Sequence, residues 1–256
     1  MLVIKFGGTS LASPARIRRA ARRVAIFHRA GRRPVVVVSA MGHTTDRLLN
    51  VLMASTGNDT EGAAREIDRA LATGEDFSAA ALAAALIAIS VPAVSLRGGE
   101  AGLLATGSFG SGVLQQLQGD RLLSLVEAGI VPVVAGFQAA RTDGQTVTLG
   151  RGGSDTSAVF IAAQLRARSC HIVTDVEGVF DADPNVRPDA RLLPALSTAQ
   201  LVDLTERGAL VVHPHAARLA HEHRVPLRIY HHSARPGSEG GTFVTAEHEA
   251  ELKEAV

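Results

Sequence analysis

Apolar and polar positions follow two rhythms along this chain, short continuous apolar runs and longer stretches with apolar residues three or four apart. Leu2 to Phe6 reads as a strand, Gly7-Gly8-Thr9-Ser10 as a turn, and Pro14 to Ala30 as a helix with proline near its start. In that helix Ile17, Ala20, Ala21 and Val24 form an apolar stripe, and Arg16, Arg19 and Arg23 form a solvated one. Pro34 introduces Val35-Val36-Val37-Val38, a β-branched run of the kind buried on both faces of a sheet. Helices are predicted over 45–56, 60–73 and 76–90, then a strand over 92–96 and an irregular glycine-rich stretch over 98–112. A helix over 114–128 precedes a strand from Ile130 to Phe137. Gln138 to Leu149, with Asp143-Gly144 at its centre, reads as a hairpin.

Beyond the hairpin the pattern predicts a helix to about Arg166, the strand Cys170 to Thr174, and a polar loop over 175–191. Helices near 198–207 and 214–223, the strand Leu227 to Tyr230 and an edge at 241–244 complete it. Strands alternating with helices imply an α/β fold with a mainly parallel sheet. The hairpin marks a division of one domain into lobes 1–150 and 151–256.

Composition narrows the class. With 256 residues, 46% hydrophobic and 20% charged, disorder and small disulfide scaffolds are excluded. The single cysteine, Cys170, cannot form an internal disulfide, and MLVIKFGGTS reaches glycine too soon for a signal peptide, so a cytoplasmic location is expected. Phe77 to Leu96 carries no charge over twenty residues, but eight alanines, three serines and Pro92 favour a buried helix followed by a strand over a membrane span. Lys5 and eight arginines precede the first acid, Asp46, while the remainder holds 17 basic against 25 acidic residues. The helical spacing of those arginines favours a solvated face over a nucleic-acid surface.

The most telling number is the lysine count. Of 26 basic residues 24 are arginine, and the only lysines are Lys5 and Lys253, the latter in the charged tail. Lys5 sits in an apolar strand directly before two glycines, where a compact ammonium offers what a guanidinium cannot. Three glycine-containing turns follow strands and open helices: Gly7-Gly8-Thr9-Ser10, Ser39-Ala40-Met41-Gly42 and Gly152-Gly153-Ser154-Asp155. Backbone N–H groups at such turns attract anions, so the set points to a phosphate-handling site. No G-x-x-x-x-G-K-[ST], no G-x-G-x-x-G after the first strand and no G-x-S-x-G is present. Histidines at 213, 215, 221, 223 and 231 could be drawn as a zinc site, but His221 and His223 are two apart on a helix, and His213-Pro214 reads as a helix start.

These blocks resemble aspartate kinases, within the amino-acid kinase superfamily. The resemblance rests on Lys5-Phe6-Gly7-Gly8-Thr9-Ser10, Val37 to Asp46, Ala72-Thr73-Gly74-Glu75, Thr148 to Thr156, Thr174 to Pro184, Gly208 to Pro214 and Gly241-Thr242, in colinear order. It implies a carbamate-kinase-like α/β/α sandwich, with a substrate lobe before residue 150 and a nucleotide lobe after it. It also implies transfer of the ATP γ-phosphoryl, with Mg2+ held through the ATP phosphates, to the side-chain carboxylate of L-aspartate. A homodimer, with neither nucleic-acid nor membrane partners, is the accompanying expectation. By the same resemblance Lys5 contacts the transferring phosphoryl, Gly7 and Gly8 donate backbone N–H groups, and Asp155 organises the lysine or the substrate amine. Ser39, Thr45, Glu75, Arg151, Ser154 and Asp155 would bind aspartate. Thr174, Asp175, Phe180, Asp183 and Asn185 fall at the ATP-binding strand end and loop.

Three positions depart from the family pattern. Phe180 stands where tyrosine is frequent, Asn185 where Arg or Lys is, and Leu210 where Lys is. The last two remove positive charge near the expected triphosphate, and Arg187, Arg207 or another arginine is expected to replace it. Another carboxylate substrate, or a weakly active nucleotide-binding regulatory protein, are the alternative readings. The resemblance stops where the family's ACT-type regulatory domains begin, so no ACT-mediated feedback is expected within this polypeptide.

Overall fold

The computed structural model describes residues 1–57, 60–182, 184, 186–209, 211–235 and 240–246. The first half supplies strands β1 (Leu2–Phe6), β2 (Pro34–Val38), β3 (Ala93–Leu96), β4 (Leu103–Thr106), β5 (Val113–Leu117), β6 (Val131–Ala135), β7 (Gln138–Ala140) and β8 (Thr146–Thr148). The second half adds β9 (Cys170–Thr174), β10 (Ala195–Ser197), β11 (Leu227–His231) and β12 (Thr242–Thr245). Between them lie helices α1 (Pro14–Arg29), α2 (Thr44–Thr56), α3 (Ala64–Ile87), α4 (Asp120–Glu127), α5 (Gly153–Gln164), α6 (Thr198–Glu206) and α7 (Pro214–Glu222).

Eight strands form the central sheet in the order β10-β12-β11-β9-β1-β2-β6-β3. Neighbours from β11 to β3 are parallel; β12 is antiparallel to β11 and, contrary to the edge expected at 241–244, is itself covered by β10, which pairs with it in parallel. β1 lies in the interior, with Lys5 opposite Val37 on one side and Ile172 on the other. Strand periodicity sorts its side chains. Leu2, Ile4 and Phe6 join the core layer under α1 and α3, while Val3 joins the layer with α5 and α7. Lys5 therefore shares the α5 face. Because β1 pairs with β9, the segments before and after residue 150 share one uninterrupted sheet.

A second, four-stranded sheet, β5-β4-β7-β8, contributes Leu103, Ala105, Leu117, Ala139 and Val147 to the α5 side of the core. It contains the hairpin expected at 138–149, with Gln138 opposite Thr148 and Gly144 in left-handed backbone at the turn. It also corrects two expectations. The stretch 98–112 includes a strand, β4, and the helix expected over 114–128 is instead strand β5 followed by the shorter α4. Pairing along β4 overrides the apolar spacing that suggested a helix.

The helices expected at 60–73 and 76–90 are one helix, α3, continuous through Gly74. A glycine inside a helix costs about 1 kcal/mol relative to alanine. Here it permits close approach, since a Cβ at Gly74 would lie 2.9 Å from the Ala40 Cβ. By length and composition alone α3 could cross a membrane, yet half of its most apolar stretch is buried, and Ala79, Leu82, Ala83 and Leu86 pack in the α1 core layer.

The arginine face of α1 is only partly solvated. Ile17, Ala20, Ala21 and Val24 are buried as expected, but so is Arg23, 4% exposed. Its guanidinium donates to the carbonyls of Ala234 and His232 and lies 4.9 Å from the Tyr230 ring centroid. Tyr230 in turn meets His171 Nδ1 at 3.2 Å, and burial with nearby arginines pushes His171 down to about 3, so it is neutral near pH 7. Replacing Arg23 with Met should therefore leave two half-buried carbonyls without a charged donor. The expected destabilisation in urea is about 1.5–3 kcal/mol, against less than about 0.5 kcal/mol if the side chain were merely a solvated surface group.

Candidate active site

In an open parallel sheet, ligands bind beyond the carboxyl ends of the strands where the chain order reverses. Here the order reverses at β1, which leads to β2 on one side and has β9 on the other. The three glycine-containing turns expected from sequence converge there. The Gly7 N–H donates to the Val173 carbonyl at 3.0 Å, Ser39 N–H to Phe6 at 3.1 Å, and Gly42 N–H to Gly8 at 2.9 Å. At Gly8 the backbones are so close that a Cβ would lie 2.6 Å from the Ala40 carbonyl oxygen, so only glycine fits.

Lys5 is 9% exposed, and its Nζ lies 2.7 Å from Asp155 Oδ1 in the first turn of α5. Removing two charges from water is costly unless they are paired, and this pair satisfies that condition at the carboxyl end of β1. Asp155 Oδ2 accepts the His213 N–H at 3.3 Å, tying the start of α7 to the same point. Gly152, which caps α5, has left-handed backbone (φ 75°), and the His213 ring occupies the space a Cβ would need. His213 was expected only as a helix start. It does cap α7, and its second role, a backbone donor aimed at Asp155, has no signature in side-chain type.

Glu75 lies on α3, 3% exposed, and its Oε1 accepts the Ala40 N–H at 2.9 Å. Its Oε2 is buried and has no hydrogen-bond partner among the described residues. Burial pushes the carboxyl up to about 7, more than the Ala40 hydrogen bond lowers it. Burial favours the neutral acid, and a cation brought beside the second oxygen would favour the carboxylate instead. The other residues expected to bind the acceptor lie on several different elements. Ser39 follows β2, half-buried Thr45 is in the first turn of α2, and Ser154 is buried in the first turn of α5. The Ser154 Cβ stands 3.0 Å from where a Cβ of Gly136 would be, another close approach. Arg151 is exposed at the turn between Gly150 and Gly152, both left-handed.

The expected nucleotide group lies at the end of β9. Thr174 is half-buried, its carbonyl accepts the His232 N–H at 2.8 Å, and its hydroxyl donates to exposed Asp175 at 3.2 Å. Phe180 is half-buried and bridges to Leu192. Asp183, Asn185 and Leu210 lie outside the described residues. The two arginines considered as replacement cations are both engaged. Arg187 meets Asp181 at 2.5 Å and Asp189 at 3.6 Å, and Arg207 meets Asp203 at 2.7 Å on α6.

Residues 1–231 match the Amino acid kinase family. The aspartokinase of Geobacillus stearothermophilus is 40% identical over 247 residues, 96% of this chain and 59% of that protein. The aspartokinase of Helicobacter pylori strain J99 is 40% identical over 250 residues, 96% of this chain and 60% of that one. The chain thus spans about three fifths of the curated relatives it matches. Among solved structures, an aspartate kinase from Synechocystis superposes with a TM-score of 0.81 at 39% identity, covering 96% of this chain and 40% of that one. In fold alone, E. coli aspartokinase III in complex with aspartate and ADP is similar, with a TM-score of 0.85 at 24% identity, covering 98% and 65%. With its parallel sheet, its reversal at β1 and its matched motifs, the chain belongs to the amino acid kinase family.

Proposed function

We propose that this chain transfers the γ-phosphoryl of ATP to the side-chain carboxylate of L-aspartate, giving 4-phospho-L-aspartate and ADP. The observation that carries this reading is the Lys5 ammonium, held against Asp155 beneath three converging glycine turns with a cation-seeking Glu75 nearby. The aspartokinase names of relatives about 40% identical support it.

The chemistry needs little from the protein beyond placement. A free aspartate side chain has a reference pKa near 3.9, so it is ionised at neutral pH and requires no general base. The barrier lies in bringing one anion onto another, so catalysis is in-line positioning with compensation of charge. Lys5 supplies a compact cation where transferring oxygens pass, and the N–H groups of the Gly7-Gly8 turn supplement it. Asp155 keeps the ammonium oriented while the site is empty. Glu75 takes the substrate ammonium and Arg151 the α-carboxylate, a geometry suited to a guanidinium. Thr174, Asp175 and Phe180 receive the nucleotide. The donor set fits a Mg2+ carried on phosphate oxygens, since Asp155 is already paired and Asp175 stands exposed at the strand end. When bound, that ion neutralises phosphate charge.

A coupled ADP-release assay with aspartate, glutamate and N-acetylglutamate tests the reading. Aspartate-dependent release is expected, and ATP binding without it would overturn the proposal. Lys5→Ala should lower turnover by about 10²-fold or more. Because it also strands a buried carboxylate, the control is Lys5→Met with Asp155→Asn, which should recover stability and not turnover. Recovery of both would remove Lys5 from the chemistry.

Glu75 gives a pH signature in the ligand-free chain. Below pH 4.5, its ordinary value, folded and unfolded states both hold the proton. As pH rises from 4.5 to about 7 the unfolded state loses it first, so folding stability falls through that window. The fall amounts to about 3 kcal/mol, at 1.36 kcal/mol per unit. Glu75→Gln should abolish it and raise the Michaelis constant for aspartate. Identical denaturation profiles from pH 4.5 to 7.5 for variant and wild type would contradict the assignment.

A further inference from the structure

Seven residues before Glu75, on the same face of α3, lies a second buried carboxylate that the proposed chemistry does not use. Asp68 is 1% exposed. Its Oδ2 accepts two backbone N–H groups, from Gly110 and Thr148, each at 2.8 Å, and its Oδ1 accepts the Thr148 hydroxyl at 2.6 Å. All three donors come from segments more than 40 residues away in sequence, so the carboxylate joins α3, the loop 107–112 and the end of β8 at one point. Charge-assisted hydrogen bonds of this kind are short and stronger than neutral ones.

The segments it joins border the acceptor group. Thr148 ends β8 three residues before Arg151. The Thr148 carbonyl accepts the Gly112 N–H at 2.8 Å, and a Cβ on Gly150 would lie 3.3 Å from the Gly110 carbonyl oxygen. The loop 107–112 and the turn 150–153 thus rest against each other, and both take their height above α3 from Asp68. One helical face fixes the two ends of the acceptor site: Glu75 through Ala40, and the Arg151 turn through Asp68 and Thr148.

We propose that Asp68 is a positioning residue for the acceptor substrate, setting the Gly150-Arg151-Gly152 turn at its working distance from Glu75. This rests on the acceptor assignment above. Asp68→Asn is the apt variant, because its amide oxygen can still accept both backbone N–H groups while the charge and one acceptor are lost. Its Michaelis constant for aspartate should rise about tenfold, with kcat and the constant for ATP within about twofold, the pattern of lost uniform acceptor binding. Thr148→Val, which removes the hydroxyl contact alone, should show a smaller rise of the same kind.

Backbone hydrogen exchange provides a readout that needs no turnover. In Asp68→Asn it should accelerate at 107–112 and at 149–153, and stay unchanged at 7–10 and 172–175. Constants for ATP and aspartate rising together with a lowered Tm would mark Asp68 as a general structural group and overturn the proposal. An exchange change confined to 107–112 would overturn it as well. If the wild-type chain released no ADP with any acceptor, the proposed function would fall, while exchange at 149–153 would still decide whether Asp68 sets that turn.

Discussion

A lysine on a strand covered by helices on both faces has one acceptable arrangement, and the crevice is built around it. β1 is hydrogen-bonded on both sides, so Lys5 cannot escape along an edge, and its ammonium must find an anion near the strand end. Asp155 meets that demand only if α5 begins there, which requires the β8-to-α5 turn to descend through Gly150 and Gly152 in left-handed backbone. The turns after β1 and β2 must then pack against each other, which they do at Gly8 with no room for a side chain. A buried ion pair contributes little to stability once its desolvation is counted. Its effect here is to hold one cation, largely out of water and oriented, at the carboxyl end of β1.

Much of this is legible in the residues, and the exceptions have physical causes. The central strands announce themselves as β-branched runs, because burial on both faces admits little else. The four-stranded sheet does not. Its strands are three to five residues long, β5 (VLQQL) is mostly exposed, and the β4–β5 register shifts between Leu104 and Ala105. Such strands exist through pairing, which no local pattern encodes. Gly74 misleads in the opposite direction: its backbone flexibility argues for a break, while the crowding of Ala40 explains both its presence and the unbroken helix. Arg23 reads as surface by spacing, and only the fold brings the carbonyls of 232 and 234 within its reach.

The candidate site divides along the same line. Lys5, the Gly7-Gly8 turn and Asp155 stand out by residue type and order, Glu75 only through the resemblance, and the fold pairs Lys5 with Asp155 beside the turns after β1 and β2. Their backbone partners are not found that way. The Ala40 and His213 N–H groups, which orient Glu75 and Asp155, belong to positions whose side chains say nothing about it. α3 has a comparable hidden role. Beyond its core stripe, Ala72 and Asp76 receive the Gln138 side-chain amide at 3.0 Å each, anchoring the start of the hairpin to the helix.

The shared sheet constrains how such a crevice can work. The ladder between β1 and β9 crosses the boundary between the two halves of the chain without a gap, so the halves cannot swing apart about a hinge without breaking main-chain bonds. The turns at 107–112 and 149–153 and the loop after β9 lie outside that ladder and are not bound by its register. The strand that carries the ammonium is laddered on both sides, so the placement of Lys5 against Asp155 is inherited from strand register rather than from the closing of one half on the other.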